Sequence, residues 1–572
     1  MFVEPQTRPA SRHLNAALAI VLVLLALAVR IGSLGSNSLS EDESAKWLAI
    51  QEYRQGHFAG VNSEHPMMLK MLAWGSLETG ERWDRLASRH GWPMAAPEGW
   101  LRLPNAIMGA ATAGVLYLLC RLAMGPAGSF AAGLFWAISP LPVAINRLAK
   151  EETALTFFTL LGCYFYWRAK KAETDGTTRR CLDFSACAFG LAVASQYMIQ
   201  LFGLNQLAWY IAGHRGLDHK PLRLHLRMLL LMSLVFLLAN PCILSPASLS
   251  SILHWLHHDG VRHTGYAFDG NLYVNFPSLL LAGMPWYFYL WMLLVKTPIP
   301  ILVAMIAGGI LLLRDRKTVA SCIFLSFGVV QLVGLSLSGA KWLRYSLPLL
   351  PFLYLAAGYA VHAAYGWVKE RKAVALAGLG AVVLLGWPLI ELRAWAPYYP
   401  LYVNAIGGGT TKIAQYFAPD EISEFDTREV AQQICPGAPL GVRLATSRPK
   451  SMTYYLRSCN RPDIQIMPLY GAFYTPQEGD LIVLEPSRRF LETQGLFDLL
   501  GNSKMPRRKV QVGPVSASTI YLFEPSALSR KDTQKPGFVQ ARQPRGRCAA
   551  PADYPDNTTA YAIWHAALRQ QP

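Results

Sequence analysis

Residues 14–44 read LNAALAIVLVLLALAVRIGSLGSNSLSEDES. The first part is an apolar run of roughly the 20 residues a helix needs to cross a bilayer. The second delivers an acidic pair, Asp42-Glu43, just beyond its end. Arg8, Arg12 and His13 flank the run as in a signal peptide, but many apolar runs follow, so a retained signal-anchor helix is expected. The basic flank places the N-terminus in the cytoplasm and the segment 35–100 outside, as a large first outer loop. Carboxylates beside hydrocarbon are costly unless they have a task.

Composition agrees with a membrane chain. Of 572 residues 52% are hydrophobic and only 16% charged, and mean hydropathy is +0.23. Average soluble domains are about 25% charged. The net charge of +17 would suggest nucleic acid in a soluble protein. Here the basic residues sit largely in short loops and in the tail, which points to a membrane neighbour and to no nucleic acid. Further apolar runs lie near 101–122, 128–146, 152–169, 182–198, 199–213, 225–241, 297–313, 318–338, 345–366 and 373–392. With the first helix they predict about eleven spans. Four basic loops then fall inside: Lys170, Lys171, Arg179 and Arg180; His214, Arg215, His219, Lys220, Arg223 and Arg227; Arg314, Arg316 and Lys317; Lys369, Arg371 and Lys372. The aromatic stretch up to Lys296, with Trp286, Tyr287, Tyr289 and Trp291, is expected as an interfacial helix before a single span.

After Tyr399 the pattern changes. β-like runs at 439–445, 463–469, 480–485, 509–513 and 518–524 alternate with helical stretches at 427–434 and 489–500, which suggests a small α/β domain. The expected division is a transmembrane domain at 1–410, an extracytoplasmic α/β domain at 411–530 and a loosely ordered tail at 531–572. Six cysteines, Cys120, Cys163, Cys181, Cys187, Cys242 and Cys322, lie in or beside apolar segments as small hydrophobes. Cys435 and Cys459 are positioned for a disulfide if that domain is extracytoplasmic, which leaves Cys548 over.

Asp42 and Glu43 are the candidate bases, because a carboxylate near a bilayer gains basicity by desolvation. The bland alternative is a solvated acidic pair. Glu64-His65-Pro66-Met67-Met68-Leu69-Lys70 follows in the same loop, with Pro66 expected to start a helix whose Leu69, Met71, Leu72 and Trp74 lie on the membrane surface. Arg102 opens the second span, and Arg147-Leu148-Ala149-Lys150-Glu151-Glu152 stands at the outer end of a later one. His254, His257, His258, Arg262 and His263 crowd one loop. Lys341, Arg344 and Tyr345 gather within five residues on the outer side, against the positive-inside trend. Cations and donors of this kind are what a leaving phosphate requires.

An acidic pair followed by a His-Pro element, an R.A..D-like segment, the run PWYFYLWMLLVKTPIP (285–300), an R-Y..P element and a P.Y...YN..GG-like segment from Pro397 to Gly409 occur in this order. The series, over roughly residues 14–410, resembles the membrane glycosyltransferases of the GT-C superfamily, in particular glycosyltransferase family 39 with its bacterial protein O-mannosyltransferases. It is also similar to the aminoarabinose transferases that modify lipid A. Met67 replaces the second proline of the family's His-Pro element. The resemblance implies an α-helical polytopic membrane protein with a small C-terminal α/β domain in the plasma membrane, its active site extracytoplasmic. It implies an inverting transfer of a sugar from a polyprenyl-phosphate carrier to a protein, a lipid or another envelope glycan. By the resemblance Asp42 becomes the base or acceptor-orienting acid and Arg147, Lys296, Arg344 and Tyr345 the phosphate shell; the residues themselves add Glu43 as a catalytic candidate and His65, Lys70, Arg102, His263 and Lys341 as phosphate-binding candidates. Glu64, Glu151 and Glu152 become supporting acids, and a divalent metal at Glu64, His65 and His263 is an open option. The rival reading is a lipid-linked-sugar flippase or transporter, against which stands the absence of an evident internal repeat.

Overall fold

The computed structural model describes residues 12–213, 222–254, 265–315, 318–469 and 474–527. Arg8, the loop residues His214, Arg215, His219 and Lys220, the run holding His257, His258, Arg262 and His263, the pair Arg316-Lys317 and the tail with Cys548 lie outside these.

Each expected apolar run coincides with a helix. Helix α1 (Arg12–Ile31) packs against α4 (Pro97–Arg121) and α5 (Pro126–Ile138), and α6 (Pro140–Asn146) continues α5 after a 58° bend at Ser139-Pro140. Then follow α7 (Glu151–Lys170), α8 (Asp175–Ser195), α9 (Gln200–Gly213), α10 (Leu222–Ala239), the short α11 (Pro246–His254), α12 (Phe288–Lys296) and α13 (Ile299–Arg314). The next run divides into α14 (Val319–Ile323), a π-helical stretch at Phe324–Val330 and α15 (Gln331–Leu337). The bundle closes with α16 (Leu350–Arg371), laid against α5 and α13, and α17 (Val374–Ala394). By length and composition, three helical stretches among the described residues suffice to cross a membrane, and four if the bent pair is one span. Helices such as α9, at 14 residues, are too short for a hydrocarbon layer of about 30 Å.

The break at Thr297-Pro298 separates α12 from α13, as the aromatic stretch suggested. Only part of that stretch suits a membrane interface. Trp286 and Tyr287 are exposed, whereas Tyr289 is buried with its hydroxyl donating to the Trp342 carbonyl, and Trp291 packs on Tyr416. Before it, β1 (Tyr266–Phe268) and β2 (Asn271–Tyr273) form an antiparallel hairpin around Asp269-Gly270. Both turn residues have positive φ (47° and 74°), the geometry of the tight turns that Asp-Gly favours.

The segment 35–100 is largely helical: a helix after Pro66 was expected, whereas the one before it was not. It holds α2 (Glu41–Arg54) and α3 (Met67–His90). Ser40 caps α2 reciprocally: its side chain accepts from the Glu43 N–H and the Glu43 carboxylate accepts from its own N–H. Pro66 precedes the first turn of α3, where the Met67 N–H is taken by Asn240 Oδ1. Met71 and Leu72 are exposed as expected of a surface-lying face, but Leu69 is buried.

Beyond Tyr399 come α18 (Ile413–Tyr416), α19 (Thr427–Ile434), α20 (Pro449–Ser458) and α21 (Gln494–Asn502). Strands β3 (Arg443–Thr446), β4 (Gln465–Pro468), β5 (Leu481–Leu484), β6 (Arg507–Val512) and β7 (Val515–Leu522) make one sheet in the order β4-β3-β5-β7-β6. β3 is parallel to β4 and β5, while β7 is antiparallel to β5 and β6. A disulfide joins Cys435 to Cys459. One apolar core is common to this part and the outer loop: Leu39, Ile50, Ala73 and Leu77 pack with Phe425, Val430, Leu444, Met452 and Tyr455.

Candidate functional site

The three acids at the start of α2 have three different surroundings. Glu41 reaches sideways to α20, where its carboxylate accepts from the backbone N–H groups of Lys450 and Ser451 at 3.0–3.1 Å. A carboxylate at a helix N-terminus meets unpaired amides and the positive end of the dipole. Glu43 reaches inward. Its two oxygens take Arg102 Nε and Nη2 at 2.8 Å each, and the Ser40 and Ala149 N–H groups at 2.9 Å. Burial alone would raise the Glu43 carboxyl, but the Arg102 guanidinium holds it below the usual carboxylate range. Glu43 is thus a buried anion whose oxygens are all engaged by Arg102 and the Ser40 and Ala149 amides.

Asp42, between them, keeps 43% of its side chain exposed. It pairs with Lys150, which immediately precedes α7, and Arg344 Nη2 stands 3.8 Å away, beyond hydrogen-bond reach. Arg344 Nε donates to Glu152 Oε1 at 3.2 Å, and Glu152 Oε2 has no partner among the described residues. Its guanidinium also lies against the Trp342 and Tyr345 rings, at 5.1 and 5.4 Å from their centroids. Next along α2, Lys46 pairs with Glu151 at 2.9 Å, so two successive ion pairs dock α2 on the start of α7. Burial, with Arg344 adding to it, pushes the Lys150 ammonium down to about 7. Burial also lowers His65, which sits within the field of Glu151 and Lys46. The result is a cluster of alternating charges, Asp42, Lys150, Arg344 and Glu152, with Tyr345 beside them.

Most other cations expected to hold a phosphate have their donors engaged by the chain. Arg102 uses all five N–H groups, two on Glu43 and three on the Leu34, Asn37 and Ser38 carbonyls. Arg147 donates to the carbonyls of Arg30, Gly32 and Ser33, closing the end of α1. The Lys70 ammonium holds the Asn62 and His65 carbonyls in the His-Pro turn. Lys341 holds those of Met284 and Ser338, and Lys296 that of Pro400. A buried carbonyl must find a donor, and these side chains supply it where loops meet the bundle. Of the expected shell, Arg344 and Tyr345 stand beside Asp42, together with Lys150, which sequence reasoning passed over. Its signal was a lysine directly before the acidic first turn of a helix, where cations are disfavoured by the dipole.

His263 lies outside the described residues. Glu64 accepts from Asn62 at 3.1 Å, and among the described residues no group of three His, Cys, Asp or Glu side chains is placed to hold a metal ion. No step below passes through one.

The C-terminal domain fixes the rim. Ser38 exchanges hydrogen bonds with Phe425, Glu424 and Thr427, and the Leu39 N–H donates to the Tyr455 hydroxyl at 2.7 Å. Glu424 accepts from the Glu41 N–H and from Arg488, and stays at about 2 despite its burial because Arg488 and Arg448 outweigh it.

Residues 96–245 match the family model for dolichyl-phosphate-mannose-protein mannosyltransferases, and residues 283–390 that for the Alg9-like mannosyltransferase family. No curated protein sequence matches the chain. Among solved structures, the fold is similar to that of ArnT from Cupriavidus metallidurans in the apo state, with TM-score 0.53 and 14% identity over 88% of this chain and 98% of that one. It is also similar to the oligosaccharyltransferase AglB from Archaeoglobus fulgidus, solved with an inhibitory peptide and a dolichol-phosphate. There the TM-score is 0.51 and identity 9%, over 85% of this chain and 70% of that one.

Proposed function

We propose that this chain, a membrane glycosyltransferase of the GT-C superfamily, moves a sugar from a polyprenyl-phosphate carrier to an acceptor hydroxyl or amine at the mouth formed by Asp42, Lys150, Glu152 and Arg344. The observation that carries this reading is a half-exposed carboxylate, Asp42, that pairs with Lys150 and lies 3.8 Å from Arg344, whose guanidinium also pairs with Glu152. Asp42 takes the acceptor proton as the acceptor atom attacks the anomeric carbon. The bond from that carbon to the phosphate oxygen breaks, and its electron pair leaves with the carrier phosphate. Attack opposite the leaving group inverts the anomeric centre. Lys150, Arg344 and the Tyr345 hydroxyl receive the phosphate charge, as cations do for leaving phosphates elsewhere. An arriving phosphate competes with Asp42 for Lys150, so donor binding itself releases the base.

In this reading all eleven apolar helices cross or enter the membrane, the N-terminus is cytoplasmic, and the mouth and the region 411–530 face the oxidising side. The Cys435–Cys459 disulfide supports that side, since such bonds persist in oxidising compartments. A dolichol phosphate in the archaeal neighbour supports a polyprenyl carrier. The acceptor is a protein side chain or an envelope lipid or glycan.

The test is transfer from a panel of radiolabelled polyprenyl-phosphate sugars to membrane extracts by wild type and Asp42→Asn. Wild type incorporates label from one donor. The variant loses at least about a hundredfold, as for a positioned general base, while still binding carrier. Undiminished incorporation by Asp42→Asn would remove Asp42 from the mechanism, and no incorporation from any donor would overturn the transferase reading.

A further inference from the structure

On another face of α2 from Asp42 lies an open cavity of about 200 Å³, room for a single small ring. Its walls come from four elements. Trp47 and Gln51 stand on α2, Glu81 and Asp84 on α3, Trp100 at the start of α4, and Tyr454 on α20 of the C-terminal domain. Trp47 and Tyr454 meet edge to face at 5.1 Å, so one aromatic corner is built across the contact between the two parts of the molecule. The second aromatic wall depends on Gly80. A Cβ there would stand 2.5 Å from the Trp100 ring, so only glycine lets the indole lie against α3.

The polar groups are the remaining half of the observation. Trp100 and Asp84 line this cavity, and their buried Nε1 and Oδ1 atoms have no hydrogen-bond partner among the described residues. Buried polar groups rarely stay unpaired unless something else completes them. Arg54, at the edge, is engaged by Glu78 at 3.0 Å and Glu81 at 2.5 Å. With Asp84 added, the lining carries no surplus of positive charge, so it suits no phosphate. A hydrocarbon chain would strand the carboxylates and the amide. A sugar ring fits both halves, because its C–H faces lie on aromatic planes while its rim of hydroxyls donates to carboxylates and accepts from an indole N–H.

We infer that this cavity is a saccharide-binding subsite for a neutral sugar unit, distinct in chemistry from the cation-lined mouth at Asp42. The two are separated by five residues of α2, about 7–8 Å along its axis. Resting on the transferase reading, the subsite holds a glycan-bearing acceptor while its reactive end meets Asp42. This also gives the C-terminal domain a direct part in recognition, through Tyr454.

The experiment uses the full chain in lipid nanodiscs and isothermal calorimetry with mannobiose, cellobiose and chitobiose, and with mannose phosphate as the anionic control. Wild type is expected to bind at least one neutral disaccharide and to prefer it to the phosphate. Trp47→Ala and Asp84→Asn are expected to weaken that binding about tenfold or more. Asp84→Asn is nearly isosteric, so a folding defect in Trp47→Ala does not blunt the test; melting curves of both variants accompany it. In parallel, polyprenyl-phosphate binding is measured for these variants and for Arg344→Gln. The expected pattern is crossed: Arg344→Gln loses the lipid phosphate and keeps the disaccharide, while the pocket variants do the reverse. No neutral disaccharide bound by wild type, or binding equal in wild type and Asp84→Asn, overturns the subsite. Lipid-phosphate binding indifferent to Arg344 overturns the reading of the mouth and leaves the subsite standing.

Discussion

Asp42 and Glu43 are adjacent, yet their substitution should fail in different ways. Glu43 and Arg102 are almost wholly inaccessible, at 0% and 1% side-chain exposure, and share two hydrogen bonds of 2.8 Å. Glu43→Gln preserves shape and one acceptor oxygen but leaves the Arg102 charge buried without its counter-ion. Breaking a buried pair on one side costs about 3–5 kcal/mol. Two further bonds, from the Ser40 and Ala149 N–H groups, weaken as the accepting oxygen loses its charge. Asp42→Asn removes a pair whose acid is 43% exposed and whose lysine is 5% exposed, so its cost lies between the about 0.2–1 kcal/mol of an exposed pair and the buried-pair value. The assay is denaturant titration in detergent micelles, followed by fluorescence, alongside sugar transfer at a temperature where wild type is fully folded. Glu43→Gln should shift the transition further than Asp42→Asn, with transfer falling in proportion to the folded fraction. Asp42→Asn should abolish transfer with the smaller shift. A Glu43→Gln protein as stable as wild type but inactive would refute this reasoning and return Glu43 to the chemistry.

Lys150 lies near 7 in the donor-free protein, so donor affinity should fall as pH rises through about 7, and Lys150→Arg should flatten that dependence in a binding titration of polyprenyl phosphate. A dependence that survives Lys150→Arg would exclude it as the titrating group. In the C-terminal domain Glu485 is buried, accepts from Thr446 Oγ1 and the Ser447 N–H, and is raised to about 7 mainly by desolvation. A carboxyl raised above its unfolded value binds its proton more tightly when folded, so its contribution to stability falls between about pH 4.5 and 7. Glu485→Gln should therefore raise the melting temperature at pH 8 relative to wild type and change little at pH 4. Equal melting of the two proteins at pH 8 would contradict the assignment.

The helices were legible because apolar runs of near-spanning length have few other uses. The strands at 443–446, 465–468 and 481–484 were legible because short β-branched runs alternate with turns. The helix α2 was equally legible: Ser40 followed three residues later by Glu43 is a reciprocal cap. Reading Asp42-Glu43 as a functional pair hid that signal, and with it the separate duty of Glu43. The sequence showed that cations gather at the ends of the apolar runs, but their duties were not readable. Whether an Arg N–H meets a carbonyl or a ligand depends on how distant loops close, as with Arg102 and the carbonyls of Leu34, Asn37 and Ser38. The clasp of the C-terminal domain on α2 joins residues about 400 apart, such as Leu39 and Tyr455, and no local pattern announces such a pairing.

That clasp sets an order of events during synthesis. Asp42 is made about 400 residues before the partners that hold its flanking residues: the amides of Lys450 and Ser451 for Glu41, and the Tyr455 hydroxyl for Leu39. The sheet that carries α20 is completed only by β7, ending at Leu522. A chain clipped before α20 therefore lacks the partners that hold Glu41 and Leu39, and the start of α2 loses its tie to the C-terminal domain.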